Sequence, residues 1–407
     1  MNVSGAGATR RYMTGQGRND GAGAARRRPG RDRGRWAFAG ALLACLFSLQ
    51  SAAAGTLSAS AEPGCDYEFR GMIEPGDAAA LEPIGWSYDG VVLCMDSPGG
   101  AIREGLEMFR TIRAGNIITR VPAGWRCESS CAVAFMAGSI FTGLGVGVFV
   151  GAHRLDPGGT LGFHAPGLAE GGQGSFSHDE VARAFAVAVE AAQAYYLATL
   201  EEEGDWRPLN EFLYARIVGT PFDRMYRIET IGDAVLANLT LGPIRLPARI
   251  NAENIVHLCD AAWLRNAPFR YRVPEGEVAD AWRRLRREGE PTREYFDVFR
   301  AVTFGRDGDD VLGYVSGYDL RLSGAGASMT GCELRFALRH ALRDYEYDDW
   351  VENGAWVQFR PMFTMDMDNP PQQWWQDAEP AVRSITVPLW YMHAPDARLD
   401  ALAPQSR

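Results

Sequence analysis

Between residues 66 and 245 the apolar positions switch repeatedly between a two-residue and a 3.6-residue period. YEFRGMI and GVVLCMD read as strands. In AIREGLEMFRTIRAG, Ile102, Leu106, Phe109 and Ile112 share one face with Arg and Glu opposite, which predicts an amphipathic helix. NIITRVPAG is a further strand, SSCAVAFMAGS a helix of small residues suited to close burial, and GVGVFVG and TLGFHAP strands or buried loop. HDEVARAFAVAVEAAQAYYLATLEEE predicts one long helix that starts at Ser177 or His178. Alternating strands and helices predict an α/β domain with a largely parallel sheet.

From about residue 250 the pattern changes. The chain becomes aromatic-rich, with Trp350, Trp356, Trp374, Trp375 and Trp390. VLGYVSGYDLRL and WVQFRPMFTMDM read as strands, EVADAWRRLRREG as a helix, and DARLDALAPQSR as a loose tail. The expected organisation is a leader over 1–54, an α/β domain over 60–247 and a smaller α+β domain over 250–400.

Composition adds a compartment. The first 35 residues are rich in Gly, Ala and Arg and cannot build a core. WAFAGALLACLFSLQSAAAG follows, an apolar run ending in small residues, as in a secretory signal peptide with an A-x-A site at Ala52–Ala54. An uncleaved anchor, which would keep the protein near a membrane, and a lipoprotein signal at Cys45 are the alternatives. The leader holds nine Arg against two Asp, a net of +7; the whole chain is −10, so the remainder is −17. Such an acidic body is a poor partner for nucleic acid. All 41 basic residues are Arg, which excludes a lysine base, a Schiff base and a Walker-type phosphate loop. Six cysteines remain after the leader, and an even number in an exported chain suggests disulfides. Fifteen pairings are open. The expected set is Cys127 with Cys131, Cys65 with Cys94 and Cys259 with Cys332. A zinc site is the weaker alternative, because no second C-x-x-C or H-x-x-x-H accompanies the C-x-x-x-C. No cofactor or metal is expected, and the acidic runs DMDN and DGDD do not complete a calcium loop.

Three stretches carry candidate chemistry. CMDSPGGAIREG ends a strand and turns into a helix through two glycines, whose N–H groups can face a developing oxyanion. WRCESSCAVAFMAG places Ser129 and Ser130 where a loop feeds a helix, the position of a nucleophile or of an ordinary cap. LGFHAP ends an apolar strand at His164, a candidate base among six histidines.

In order and spacing these stretches resemble the Clp protease/crotonase superfamily, in particular the proteolytic subunit of Clp and its exported relatives. The resemblance covers roughly residues 66–245 and rests on Ser97-Pro98-Gly99-Gly100, on Ser129 nine positions before Gly138 in Ala137-Gly138, and on Pro157 seven positions before His164 with Ala165-Pro166 after it. It implies a superhelix of ββα units, a Ser129 nucleophile, a His164 base, and the N–H groups of Gly99 and Ser130 as the oxyanion hole. Ser130 is the alternative nucleophile if the helix register shifts by one. Asp223 in PFDRMYRIET is the acid the pattern offers, ahead of Asp233. The family commonly forms rings, which implies a homo-oligomer. One departure is the spacing of 35 from Ser129 to His164, about ten longer than in the Clp subunit, which the apolar TGLGVGVFVGA accommodates. His153 fits the shorter spacing but lacks the flanking strand and proline. The absence of lysine excludes the Ser–Lys variant.

The expected function is an exported, periplasmic serine peptidase acting on peptides or unfolded segments. An inactive scaffold of the same fold is the competing reading, and thioester chemistry of crotonase type ranks last.

Overall fold

The computed structural model describes residues 55–404 apart from 85–86, 88–89, 143–147, 168–176, 201–206, 267–301, 320–328, 342–343, 346, 348–352 and 363–382. The leader, the helix expected over EVADAWRRLRREG, Trp350, Trp374, Trp375 and DMDN lie outside the described residues. Residues 50–407 form one compact unit.

The architecture is mixed α/β. A six-stranded sheet runs in the order β1 (Thr56–Ala59), β2 (Tyr67–Arg70), β3 (Val91–Asp96), β4 (Ile117–Val121), β8 (His153–Leu155) and β11 (Thr240–Leu241). Only β1 is antiparallel to its neighbour; the other pairs are parallel, as the strand–helix alternation predicts. Parallel neighbours need a crossover. α2 (Ile102–Ala114) supplies the one from β3 to β4 and buries Leu106, Met108, Phe109 and Ile112. A second sheet joins β10 (Tyr226–Arg227), β9 (Thr160–Phe163) and β5 (Arg126–Glu128). β5 was not foreseen: three residues are too few to establish a period. α3 (Ser130–Phe135) packs on α2, β5 and β9 and is buried along its whole length, as its small residues allow.

The insertion TGLGVGVFVGA includes one arm of an antiparallel pair, β6 (Ser139–Thr142) with β7 (Val148–Gly151). The long helix is α4 (His178–Leu200), and Ser177 starts it by accepting the Glu180 N–H at its hydroxyl, 3.2 Å, while Glu180 accepts the Ser177 N–H, 2.7 Å. No described helix is long and apolar enough to cross a membrane.

Beyond residue 250, α7 (Ala252–Asn266) packs on an antiparallel sheet of β13 (Val302–Asp307), β14 (Asp310–Asp319), β15 (Met329–Ala337), β17 (Ala355–Met362) and β18 (Arg383–Val387). DGDD is the tight turn from β13 to β14, with Gly308 at φ 62°. The apolar core is continuous from Phe69 to Leu399. The tail is not loose. Residues 395–399 bond to the segment entering α6 (Ile231–Leu236): Ile231 N–H donates to Ala397 O at 3.0 Å, Gly232 N–H to Pro395 O at 2.8 Å, and Leu399 N–H to Glu229 O at 3.0 Å. These carbonyls satisfy donors that a helix start leaves orphaned.

All three expected disulfides are present: Cys65–Cys94, Cys127–Cys131 and Cys259–Cys332, with Cα separations of 5.7, 5.2 and 6.1 Å. Such bonds form and persist in oxidising compartments.

Candidate functional site

Ser129 is the hinge between β5 and α3, and its backbone is unusual. At φ 58° and ψ −127° it lies outside the regions an L-residue ordinarily occupies. Holding a side-chain-bearing residue there costs on the order of 1–3 kcal/mol and needs surroundings that over-determine it. Those surroundings are identifiable. The Ser129 N–H donates to Gly162 O at 2.9 Å, continuing the parallel β5–β9 register. Cys127 and Cys131, two residues to either side, are bonded. Gly99, at φ 92°, closes the third side; a Cβ there would lie 2.6 Å from Ser129 Cβ and 2.7 Å from Glu128 O. The SPGG turn thus presses its backbone directly against the serine.

The two serines differ in access. Ser129 is partly exposed. Ser130 is fully buried, its Cβ packs where α2 presents Gly105, and its hydroxyl has no hydrogen-bond partner. Its N–H, in the first turn of α3, has no intrahelical acceptor. The structure therefore leaves Ser129 as the accessible hydroxyl and Ser130 as a backbone donor beside it. The Gly99 N–H is also at hand, but here it donates to Ser97 Oγ at 3.1 Å.

His164 follows β9, the strand between β5 and β10. Side chains alternate along a strand, so His164 shares a face with Gly162, which pairs with Glu128 on one side and Arg227 on the other. His164 Nδ1 lies 2.8 Å from Ala165 O. A carbonyl only accepts, so this hydrogen bond needs the proton on Nδ1, and in the neutral ring that tautomer leaves the lone pair on Nε2. No hydrogen bond joins Ser129 Oγ to His164.

The expected acid is not engaged. Asp223 lies in an exposed turn closed by Arg224 N–H to Pro221 O, 2.9 Å, and makes no hydrogen bond or ion pair among the described residues. Its loop does pass His164, since Ala165 N–H donates to Thr220 O at 2.8 Å. Asp233, the other candidate, serves the capping box of α6 with Thr230 and accepts the Tyr226 hydroxyl at 2.7 Å. Ala165 O, not a carboxylate, is the acceptor beside His164 Nδ1, and no sequence signal marks a carbonyl for it.

The remaining candidates resolve by placement. His153 is buried in β8 with Nε2 2.9 Å from Asn238 O, and burial holds its pKa below the ordinary value. Glu128, next to Ser129, is bound by Arg227 at 2.9 Å; neither was singled out from the sequence. Among the described residues no three His, Cys, Asp or Glu side chains cluster as metal ligands.

No protein-family model matches this chain, and no curated protein matches it.

Proposed function

We propose that the protein is an exported serine hydrolase of Clp protease/crotonase type, a periplasmic peptidase for peptides or unfolded segments. The observation that carries this reading is the positive-φ Ser129 on a strand–turn–helix, with a glycine turn packed against it. Sharp, strained turns of this kind expose nucleophilic serines.

In the proposed reaction Ser129 Oγ attacks the carbonyl carbon while His164 Nε2 takes its proton. The N–H groups of Gly99 and Ser130 hold the oxyanion, once Ser97 Oγ releases the Gly99 N–H to the stronger acceptor. His164 returns the proton to the leaving amine. It then deprotonates the water that opens the acyl-enzyme and regenerates Ser129. Ala165 O keeps Nδ1 protonated throughout. Assembly as a homo-oligomer and a membrane tether through the N-terminal apolar segment belong to the same proposal.

The second reading is an inactive scaffold of the same fold. It is favoured by the unengaged Asp223, by the Gly99 N–H bound to Ser97, and by the missing Ser129–His164 hydrogen bond. Fluorophosphonate labelling of the purified exported form separates the two. Under the hydrolase reading Ser129→Ala abolishes labelling, Ser130→Ala keeps it, and His164→Ala slows it by roughly 10²–10⁴-fold. A folded wild type that never labels leaves the scaffold.

A further inference from the structure

A serine that opens a helix ordinarily caps it: its backbone is extended and its hydroxyl accepts the N–H two or three residues on. Ser129 stands at that position of α3 and does neither. Its φ and ψ are 58° and −127°, and its side chain makes no capping hydrogen bond. An ordinary capped arrangement differs from this one by rotations at Ser129 on the order of 150° in φ and 70° in ψ. In that arrangement Oγ is tied to the amide of Ala132, three residues on, and is not free to attack.

Three restraints oppose the rotation. One is a single hydrogen bond, Ser129 N–H to Gly162 O. The second is the Gly99 contact, which only blocks one side. The third is covalent: the Cys127–Cys131 bond spans the rotating segment directly and ties β5 to the first turn of α3. Its cysteines are four positions apart, against 29 and 73 for the other two disulfides. Loop-closure stabilisation grows with loop length, so this bond contributes least to global stability, and its effect is local. Both cysteines are fully buried.

We infer that Cys127 and Cys131 are positioning residues whose disulfide holds Ser129 out of the capping conformation, so that the nucleophile exists only in the oxidised chain. The inference rests on the hydrolase reading. In the reduced chain Ser129 relaxes to an N-cap and is inert. Switching on is thiol–disulfide exchange: the two thiols lose two protons and two electrons to a disulfide oxidant of the exported compartment, which leaves as the dithiol. The serine is thereby silent in the reducing compartment where the chain is made and becomes reactive after export.

The test compares Cys127→Val/Cys131→Ala with Cys65→Ala/Cys94→Ala, both as folded exported protein, by fluorophosphonate labelling rate and by hydrogen exchange at Ala132. The first pair is expected to label about 100-fold more slowly than wild type and the second within about threefold, since mispositioning of this order costs about 10²-fold. The Ala132 amide becomes more protected only in the first pair, because Ser129 Oγ now caps it; a merely stabilising disulfide does not have that effect. Wild-type-like labelling with unchanged exchange at Ala132 overturns the inference. If the oxidised wild type does not label, the hydrolase reading fails, and exchange at Ala132 alone decides the conformational part. If the first pair does not fold, phosphine reduction and reoxidation of wild type replaces it: labelling lost and regained supports the inference, and labelling kept by the reduced folded protein overturns it.

Discussion

Gly99→Ala isolates the contact between the SPGG turn and Ser129. Two costs apply. An alanine at φ 92° enters a region that is unfavourable for L-residues by about 1–2 kcal/mol. Its Cβ also meets Ser129 Cβ at 2.6 Å and Glu128 O at 2.7 Å. The carbonyl belongs to backbone paired into β5–β9, so relief needs a main-chain shift, and overpacking of this kind costs about 1–3 kcal/mol. The lower entropy of the unfolded alanine chain returns about 0.4–1 kcal/mol. The expected loss is about 1–4.5 kcal/mol, about 1–3 kcal/mol more than for the backbone cost alone. Gly124→Ala is the control. Gly124 has φ 81° but nothing within 4 Å of a Cβ, so it keeps the backbone cost without the clash and should lose only about 0–1.5 kcal/mol. Guanidinium unfolding of both variants at neutral pH measures the difference, and fluorophosphonate labelling reports the serine. Gly99→Ala should lower the labelling rate and Gly124→Ala should not. Losses for the two variants that agree within about 0.5 kcal/mol, which is ordinary surface variation, would refute the close-contact argument.

Two further outcomes follow from buried charge. Burial lowers the His393 pKa from 6.5 to about 4, with Nε2 at 2.8 Å from Arg245 O. Above pH 6.5 the ring is neutral in both states; below it the unfolded chain takes up a proton that the folded chain refuses, so stability falls by roughly 3 kcal/mol on going to pH 4. In His393→Gln this share of the acid sensitivity should vanish, so a stability gap from wild type that stays constant between pH 7 and 4.5 counts against the assignment. The Arg120–Asp156 pair is 2.7 Å long, with side chains 11% and 8% exposed. Arg120→Met strands the carboxylate, whose pKa burial already raises, and should cost about 3–5 kcal/mol, whereas Arg120→Met/Asp156→Leu should recover most of it. Urea unfolding of both variants checks the order, and a double variant no more stable than the single one would contradict it.

The sequence shows most clearly what local periodicity controls. The face of α2 with Ile102, Leu106, Phe109 and Ile112, the strand ending at Asp96 and the long helix from Ser177 each follow from spacing within one element. The disulfide set was open among fifteen pairings, yet the expected three formed; Cys127 and Cys131 are brought together by a single turn of chain. Features set by distant contacts were not legible. β5 exists because Ser97, Gly162 and their neighbours pair with it, not because RCE favours a strand. The stretch from Asp396 reads as a tail because its partners lie more than 160 positions away. Asp223 was chosen from a local pattern, but engagement of His164 depends on how its loop lies, and there Ala165 O stands nearer. Likewise, no periodicity distinguishes a capping Ser129 from a strained one; the distinction arises where β5, β9 and the SPGG turn converge.

The closure of α6 by residues 395–399 bears on the order in which the molecule can be completed. A chain made from its N-terminus presents Ser129 and His164 long before those carbonyls emerge. Until they do, the N–H groups of Ile231 and Gly232 lack these acceptors, and the start of α6 is held through β10, which is paired with β9, and not yet through residues 395–399. Residues 395–399 are thus a clasp on the neighbourhood of the candidate site. Removing residues 395–399 would disturb a region more than 160 positions upstream.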